Sequence, residues 1–91
     1  MEKIWIITFD QTEDFIAIPN APLAFRNEAV ARREFQKIKD QVKEEYAEDI
    51  ANDVFGYNEE DDWFELYEYY SYAENHSLIT LHYVELSDEE V

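Results

Sequence analysis

Apolar residues first gather in Lys3-Ile4-Trp5-Ile6-Ile7-Thr8-Phe9. The run is β-branched and aromatic, and apolar on both alternating faces, so it predicts a strand in the middle of a sheet. Asp10–Asp14 interrupts it with polar, turn-forming residues. Phe15–Ile18 predicts a second, short strand, and the Pro19 that stops it suits a sheet edge. Residues 19–26, with Pro19 and Pro22, form a connector.

From Asn27 the period changes. Asn27 is a good helix N-cap, and Glu28 puts an acid in the first turn, where the helix dipole favours it. Ala31, Phe35, Ile38, Val42, Tyr46 and Ile50 recur at steps of 4, 3, 4, 4 and 4, which draws one apolar stripe along a helix. A helix over 28–52 would be about 37 Å long, so a break is expected near 46–50. Gly56, the only glycine, is expected to end the helical region. Tyr57–Asp62 then reads as a loop, Trp63–Tyr70 as a strand, Ser71–His76 as a turn, and Ser77–Leu86 as the longest strand. Ser87–Val91 reads as a flexible acidic tail. The apolar positions of the core are expected to include Ile4, Ile6, Phe35, Ile38, Val42, Phe64, Leu66, Ile79 and Leu81.

This ββαββ order predicts a single α+β domain over residues 1–91: a four-stranded mixed or antiparallel sheet with one long helix on one face. The most apolar strands, first and last, would lie adjacent and parallel in the centre. That gives the order 2-1-4-3 of β-grasp domains, a likeness that implies no function.

Composition narrows the class. At 91 residues the chain is one domain's worth, and 46% hydrophobic with 16% aromatic is too apolar for a disordered chain. No apolar run approaches the roughly 20 residues of a membrane helix, and Ile4–Ile7 is too short for the apolar region of a signal peptide. Cysteine is absent, which excludes disulfides, thiolate metal sites and a cysteine nucleophile. A cytoplasmic location is the simplest expectation.

Charge constrains function most. The net charge is −16, from 7 Lys and Arg against 23 Asp and Glu. All the cations lie at or before Lys43, where seven acids balance them. Residues 44–91 therefore carry the whole excess. Such a field repels DNA, RNA and anionic membranes, attracts basic surfaces, and opposes compaction.

Candidate chemistry is sparse. The acidic run Glu59-Glu60-Asp61-Asp62 with Glu65 and Glu68 suggests a cation site, but an EF-hand alignment on Gly56 puts Ala51 and Phe55 at ligand positions. A carboxylate pair for acid–base work needs two contrasting environments in a cleft, for which one helix layer leaves little room. His76 and His82 lack further ligands at metal spacing. No catalytic residue, metal ligand or cofactor site is assigned, and an enzyme is not expected. More informative are Tyr69, Tyr70 and Tyr72, which cannot all face one core and are interleaved with Glu65, Glu68 and Glu74. Tyrosine suits protein interfaces. Basic residues among such aromatics would suggest nucleic-acid binding; acids suggest a surface that imitates nucleic acid. Sixteen charges match on the order of 27 Å of duplex, at one charge per roughly 1.7 Å. The partner-binding set is then Glu59, Glu60, Asp61, Asp62, Glu65, Glu68, Tyr69, Tyr70, Tyr72 and Glu74.

These features, the cation-free stretch Glu44–Val91, the Glu59–Asp62 run and the Trp63–Tyr72 aromatics, resemble those of small acidic proteins encoded by phages and mobile elements. Several anti-CRISPR proteins and other DNA mimics share the profile. The resemblance covers the whole chain by pattern, without a diagnostic motif. It implies inhibition by occupying the basic nucleic-acid or PAM-reading groove of a CRISPR effector. Two other classes share the composition: an immunity protein or antitoxin neutralising a basic nuclease, and an accessory domain whose acids serve solubility, since charge runs are usually solvated faces.

Overall fold

The computed structural model describes residues 2–71 and 74–86. β1 (Glu2–Glu13) runs straight through the expected break at Asp10 and is 12 residues long, about 40 Å at the usual rise. β2 (Ile16–Ile18) turns back against Gln11–Glu13, and β3 (Leu23–Phe25) pairs with Trp5–Ile7 on the same edge. Together they form one returning edge strand, interrupted over Pro19–Pro22, where proline cannot donate to the ladder. The expected connector thus contains a strand.

The chain then climbs back over the sheet as α1 (Glu28–Glu45), capped by Asn27, whose Oδ1 accepts from the Val30 N–H at 3.0 Å. The helix stops at Tyr46, and a short α2 (Ala47–Ala51) follows. Three strands complete the fold: β4 (Phe55–Glu59), β5 (Trp63–Glu68) and β6 (His76–Leu86). The main path of the sheet is β2-β1-β6-β5-β4, and every pairing among the described residues is antiparallel.

The architecture corrects the four-stranded, single-helix, β-grasp-like expectation. There are six strands and two short helices among the described residues, and the first and last strands are neighbours but antiparallel. The cause is β4. Phe55-Gly56-Tyr57-Asn58-Glu59 carries Gly, Asn and Glu, poor strand formers, yet it pairs in register with β5. One additional strand after the helices reverses the direction of every later one, so β6 runs opposite to β1. Gly56 ends no helix. It is buried in β4, and a Cβ there would meet the Tyr69 ring and hydroxyl at 2.7–2.8 Å.

Both helices lie over one face. Trp5 and Ile7 of β1, Phe64 and Leu66 of β5, and Ile79 and Leu81 of β6 meet Ala31 and Phe35 of α1 in the core. Five of these side chains, Phe35, Phe64, Ile7, Leu66 and Ile79, are essentially fully buried, worth roughly 1.5–3 kcal/mol each. Ile4 and Ile6, expected in the core, point to the opposite face and are half-buried. The alternation of β1 was apolar on both faces, and the helices cover the Trp5–Ile7 side. The molecule is flat and long, 51 × 25 × 17 Å. Among the described residues no helix is long and apolar enough to cross a membrane.

Candidate functional site

The expected acidic run is divided by the β4–β5 turn. Glu59 ends β4 on the helix side, where its carboxylate meets Lys43 Nζ at 2.6 Å and Lys39 Nζ at 3.7 Å. Lys39 is buried, and it also donates to the Glu60 carbonyl at 3.3 Å. The hydrogen bond to Glu59 and its charge hold the Lys43 ammonium above its ordinary pKa, against desolvation by burial. Glu59 therefore ties the hairpin to α1. Asp61 and Asp62 are exposed in the turn, where the Asp62 carbonyl accepts from the Leu81 N–H at 2.8 Å.

The remaining predicted residues lie elsewhere. Glu65 faces the helix-free side and contacts His76 Nε2 at 3.1 Å. Glu68 accepts from Asn75 Nδ2 at 2.5 Å, and Glu74 from Ser71 Oγ at 2.9 Å. Tyr69 and Tyr70 leave the end of β5, 53% and 91% exposed. Tyr69 packs edge-on to Tyr67, with ring centroids 5.4 Å apart. Tyr72 lies outside the described residues, as does the expected acidic tail Ser87–Val91. The predicted set thus splits into the β4–β5 turn (Glu59–Asp62), Glu65 on the open face, and a group at the far end of β5 (Glu68, Tyr69, Tyr70 and Glu74).

Around that far end the fold collects acids that are distant in sequence. The β1–β2 turn docks on the loop before β6: the Phe15 N–H donates to the Glu74 carbonyl at 3.1 Å, and the Asp14 N–H to Asn75 Oδ1 at 3.3 Å. On the other side, the Tyr69 N–H donates to the Val54 carbonyl at 3.0 Å, and the Val54 N–H to the Asp49 carbonyl at 2.9 Å. Tyr46, its ring tilted against Phe55 with centroids 5.0 Å apart, sits among the carboxylates of Glu45, Glu13 and Asp49. Burial first, and these charges second, push its hydroxyl above the ordinary tyrosine pKa. The Tyr69 hydroxyl is raised too, chiefly by Tyr67, with desolvation, a hydrogen bond to Tyr67 and Asp53 adding to the effect. Glu13, Asp14, Glu45, Asp49, Asp53, Glu68 and Glu74 thereby share one end of the molecule.

The cations are placed elsewhere, Arg33 and Lys37 on exposed positions along α1. Lys3 stands opposite Glu85, and Arg26 pairs with Glu2 at 3.4 Å, both at the start of β1. Arg32 pairs with Glu28 at 2.8 Å in the first turns of α1. Lys39 and Lys43 face Glu59.

Phe15 stands out in this acidic end. It and Asp14 form the two-residue turn between Glu13 and Ile16, with φ of 67° and 51°. This is the I′ pattern, whose second position strongly favours glycine. A phenylalanine there is held against its backbone preference, and its ring is 69% exposed, beside Ile16 at 65%. Phe15 and its neighbours are not legible in the sequence because the turn contains no Gly or Asn, and because Glu13, Asp14, Glu45, Asp49 and Asp53 join Glu68 and Glu74 only through the tertiary fold.

The space beneath is small: a cavity of about 70 Å³ touched by Gln11, Glu13, Tyr46, Asn75, His76 and Ser77. Known small-molecule pockets run about 300–1,000 Å³, so the chemistry on offer at this end is that of a surface. Among the described residues, no three His, Asp or Glu side chains are gathered as metal ligands would be. No family model, no curated protein and no solved structure matches this chain.

Proposed function

We propose that this protein is a non-catalytic inhibitor that binds a basic nucleic-acid-binding protein and occupies the groove its nucleic acid would use. The observation that carries the reading is the acidic end: five exposed acids, Glu13, Asp14, Glu45, Asp49 and Asp53, gathered beside the half-buried Glu68 and Glu74, with Phe15, Tyr69 and Tyr70 exposed among them. Carboxylates supply what a phosphate backbone offers to Arg and Lys. Exposed aromatics supply the apolar area on which a stable interface centres. Phe15 supports it further, because a ring kept in solvent on a strained turn is a residue retained for contact.

The contact surface is this end and not the β4–β5 turn, where Glu59 is engaged by Lys39 and Lys43. In its most specific form, drawn from the whole-chain resemblance, the partner is a CRISPR effector nuclease in the host cytoplasm. Nucleic acid itself and anionic membranes are repelled by the net −16.

The test is displacement. Partner captured from host lysate on the immobilised protein at low salt is titrated with its own nucleic acid. Release as the nucleic acid saturates is the expected result. A partner that stays bound at saturation overturns groove competition.

A further inference from the structure

A second surface lies away from the acidic end. β5 begins at Trp63, opposite Thr80, whereas β6 continues to Leu86. On the side away from β1, the segment His82–Leu86 therefore has no strand partner among the described residues. The Leu81 N–H points to that side, since it donates to the Asp62 carbonyl. Strand alternation then aims the N–H and C=O groups of Tyr83 and Glu85 the same way. Edges of this kind are usually blunted by proline, a bulge or charged side chains, lysine above all; this one reads His82-Tyr83-Val84-Glu85-Leu86, with Glu85 as its one charged residue.

Beside the edge, on the helix side, runs a groove of about 270 Å³ touched by Trp5, Arg32, Asp62, Leu81 and Tyr83. Its floor is aromatic: Trp5 and Tyr83 lie 5.0 Å apart, with Arg32 over the Trp5 ring. A strand laid along β6 would continue the line of β5. Its residue opposite Tyr83 would enter the groove, and its end nearest β5 would reach Asp61 and Asp62.

We propose that the Tyr83–Leu86 edge takes an extended, basic peptide segment of a partner protein by strand addition. An aliphatic side chain would lie over Trp5 and Tyr83, and a Lys or Arg would lie beside Asp61 and Asp62. Backbone pairing supplies affinity in this mode, and pockets for alternate side chains supply selectivity. Asp61 and Asp62 favour a basic side chain at the β5 end of the groove, Arg32 over Trp5 and Lys3 over Tyr83 favour an apolar one between them, and a second copy of this chain would bring −16 against −16. The inference is independent of the acidic end, which lies at the opposite limit of β1 and β6.

The probe is a fluorescein-labelled peptide of alternating valine and lysine, measured by fluorescence anisotropy, with a proline-interrupted peptide of equal charge as control. Glu85→Pro and Glu85→Ala remove the same carboxylate, but only the first removes an outward N–H. Glu85→Pro is expected to weaken binding about tenfold or more, and Glu85→Ala about twofold or less. The peptide should also slow amide exchange at Tyr83 and Glu85 in the unmodified protein, a readout that does not depend on a variant folding. Equal binding of the control peptide, equal effects of the two variants, or unchanged exchange at both amides overturns strand addition. A dimer of the protein alone that Glu85→Pro dissolves would assign the edge to a second copy instead and overturn the proposal.

Discussion

Phe15 and Glu59 show how differently two exposed-looking residues are used. Phe15 occupies a left-handed position, φ 67°, where a side chain costs roughly 1–2 kcal/mol relative to glycine. Phe15→Gly is therefore expected to stabilise the fold by about 1 kcal/mol in urea unfolding, while weakening binding to the captured partner. A variant that is more stable and binds equally well would remove Phe15 from the interface. Glu59 gives the opposite result. Glu59→Gln leaves the buried Lys39 without its carboxylate and is expected to cost about 1–3 kcal/mol. Asp61→Asn, in the exposed turn, is expected to stay within about 0.5 kcal/mol. Equal effects in urea would mean that the Lys39–Glu59–Lys43 contacts contribute nothing to stability.

Elements with strong local chemistry were legible before folding, and those made by pairing were not. The start of α1 could be read from Asn27 and Glu28, and its buried stripe from the spacing of Ala31, Phe35 and Ile38. β1 and β6 announce themselves as neighbours by their apolar content. β3 and β4 do not: a three-residue edge strand directly after Pro22, and a strand built on Gly and Asn, exist because a partner strand is present. The same limit applies to the site, since Glu68, Tyr69, Tyr70 and Glu74 could be named from sequence, but Glu13, Asp14, Phe15, Asp49 and Asp53 join them only through turn docking. At the α1–α2 junction the packing has a consequence in alkali. Tyr46 and Lys43 both have folded pKa values raised above their ordinary ones. The folded state thus holds these protons more tightly than the unfolded chain does. Their stabilising contribution is fully present below about pH 10 and is lost as pH rises through the folded values. The melting temperature is expected to fall above that pH, and less steeply in Tyr46→Phe, which keeps the ring on Phe55. An identical alkaline slope in Tyr46→Phe would remove Tyr46 from the linkage.

Over the whole molecule, Lys3, Arg26 and Arg32 near the start of β1 and α1 offset Glu85, Glu2 and Glu28, whereas Glu13, Asp14, Asp49 and Asp53 gather at the other end of the sheet, so the negative field is strongest towards that end of the 51 Å molecule. Such a field orients an encounter as well as speeding it, so a basic partner would meet the Phe15–Tyr70 end first. Field and contact separate in kinetics. Glu45→Gln, Asp49→Asn and Asp53→Asn together remove three exposed charges without touching the aromatic contacts. This variant is expected to slow association about tenfold at low salt and to flatten its salt dependence, with dissociation little changed. Phe15→Ala with Tyr70→Ala keeps every carboxylate, and is expected to speed dissociation about tenfold with association nearly unchanged. Both sets lie on exposed positions, so circular dichroism should report an intact fold in each. If the charge variant instead dissociates faster with unaltered association, the carboxylates act as short-range contacts and the long axis steers nothing. If neither variant changes either rate constant, the partner is held elsewhere on the molecule, and the acidic end is a solvated surface.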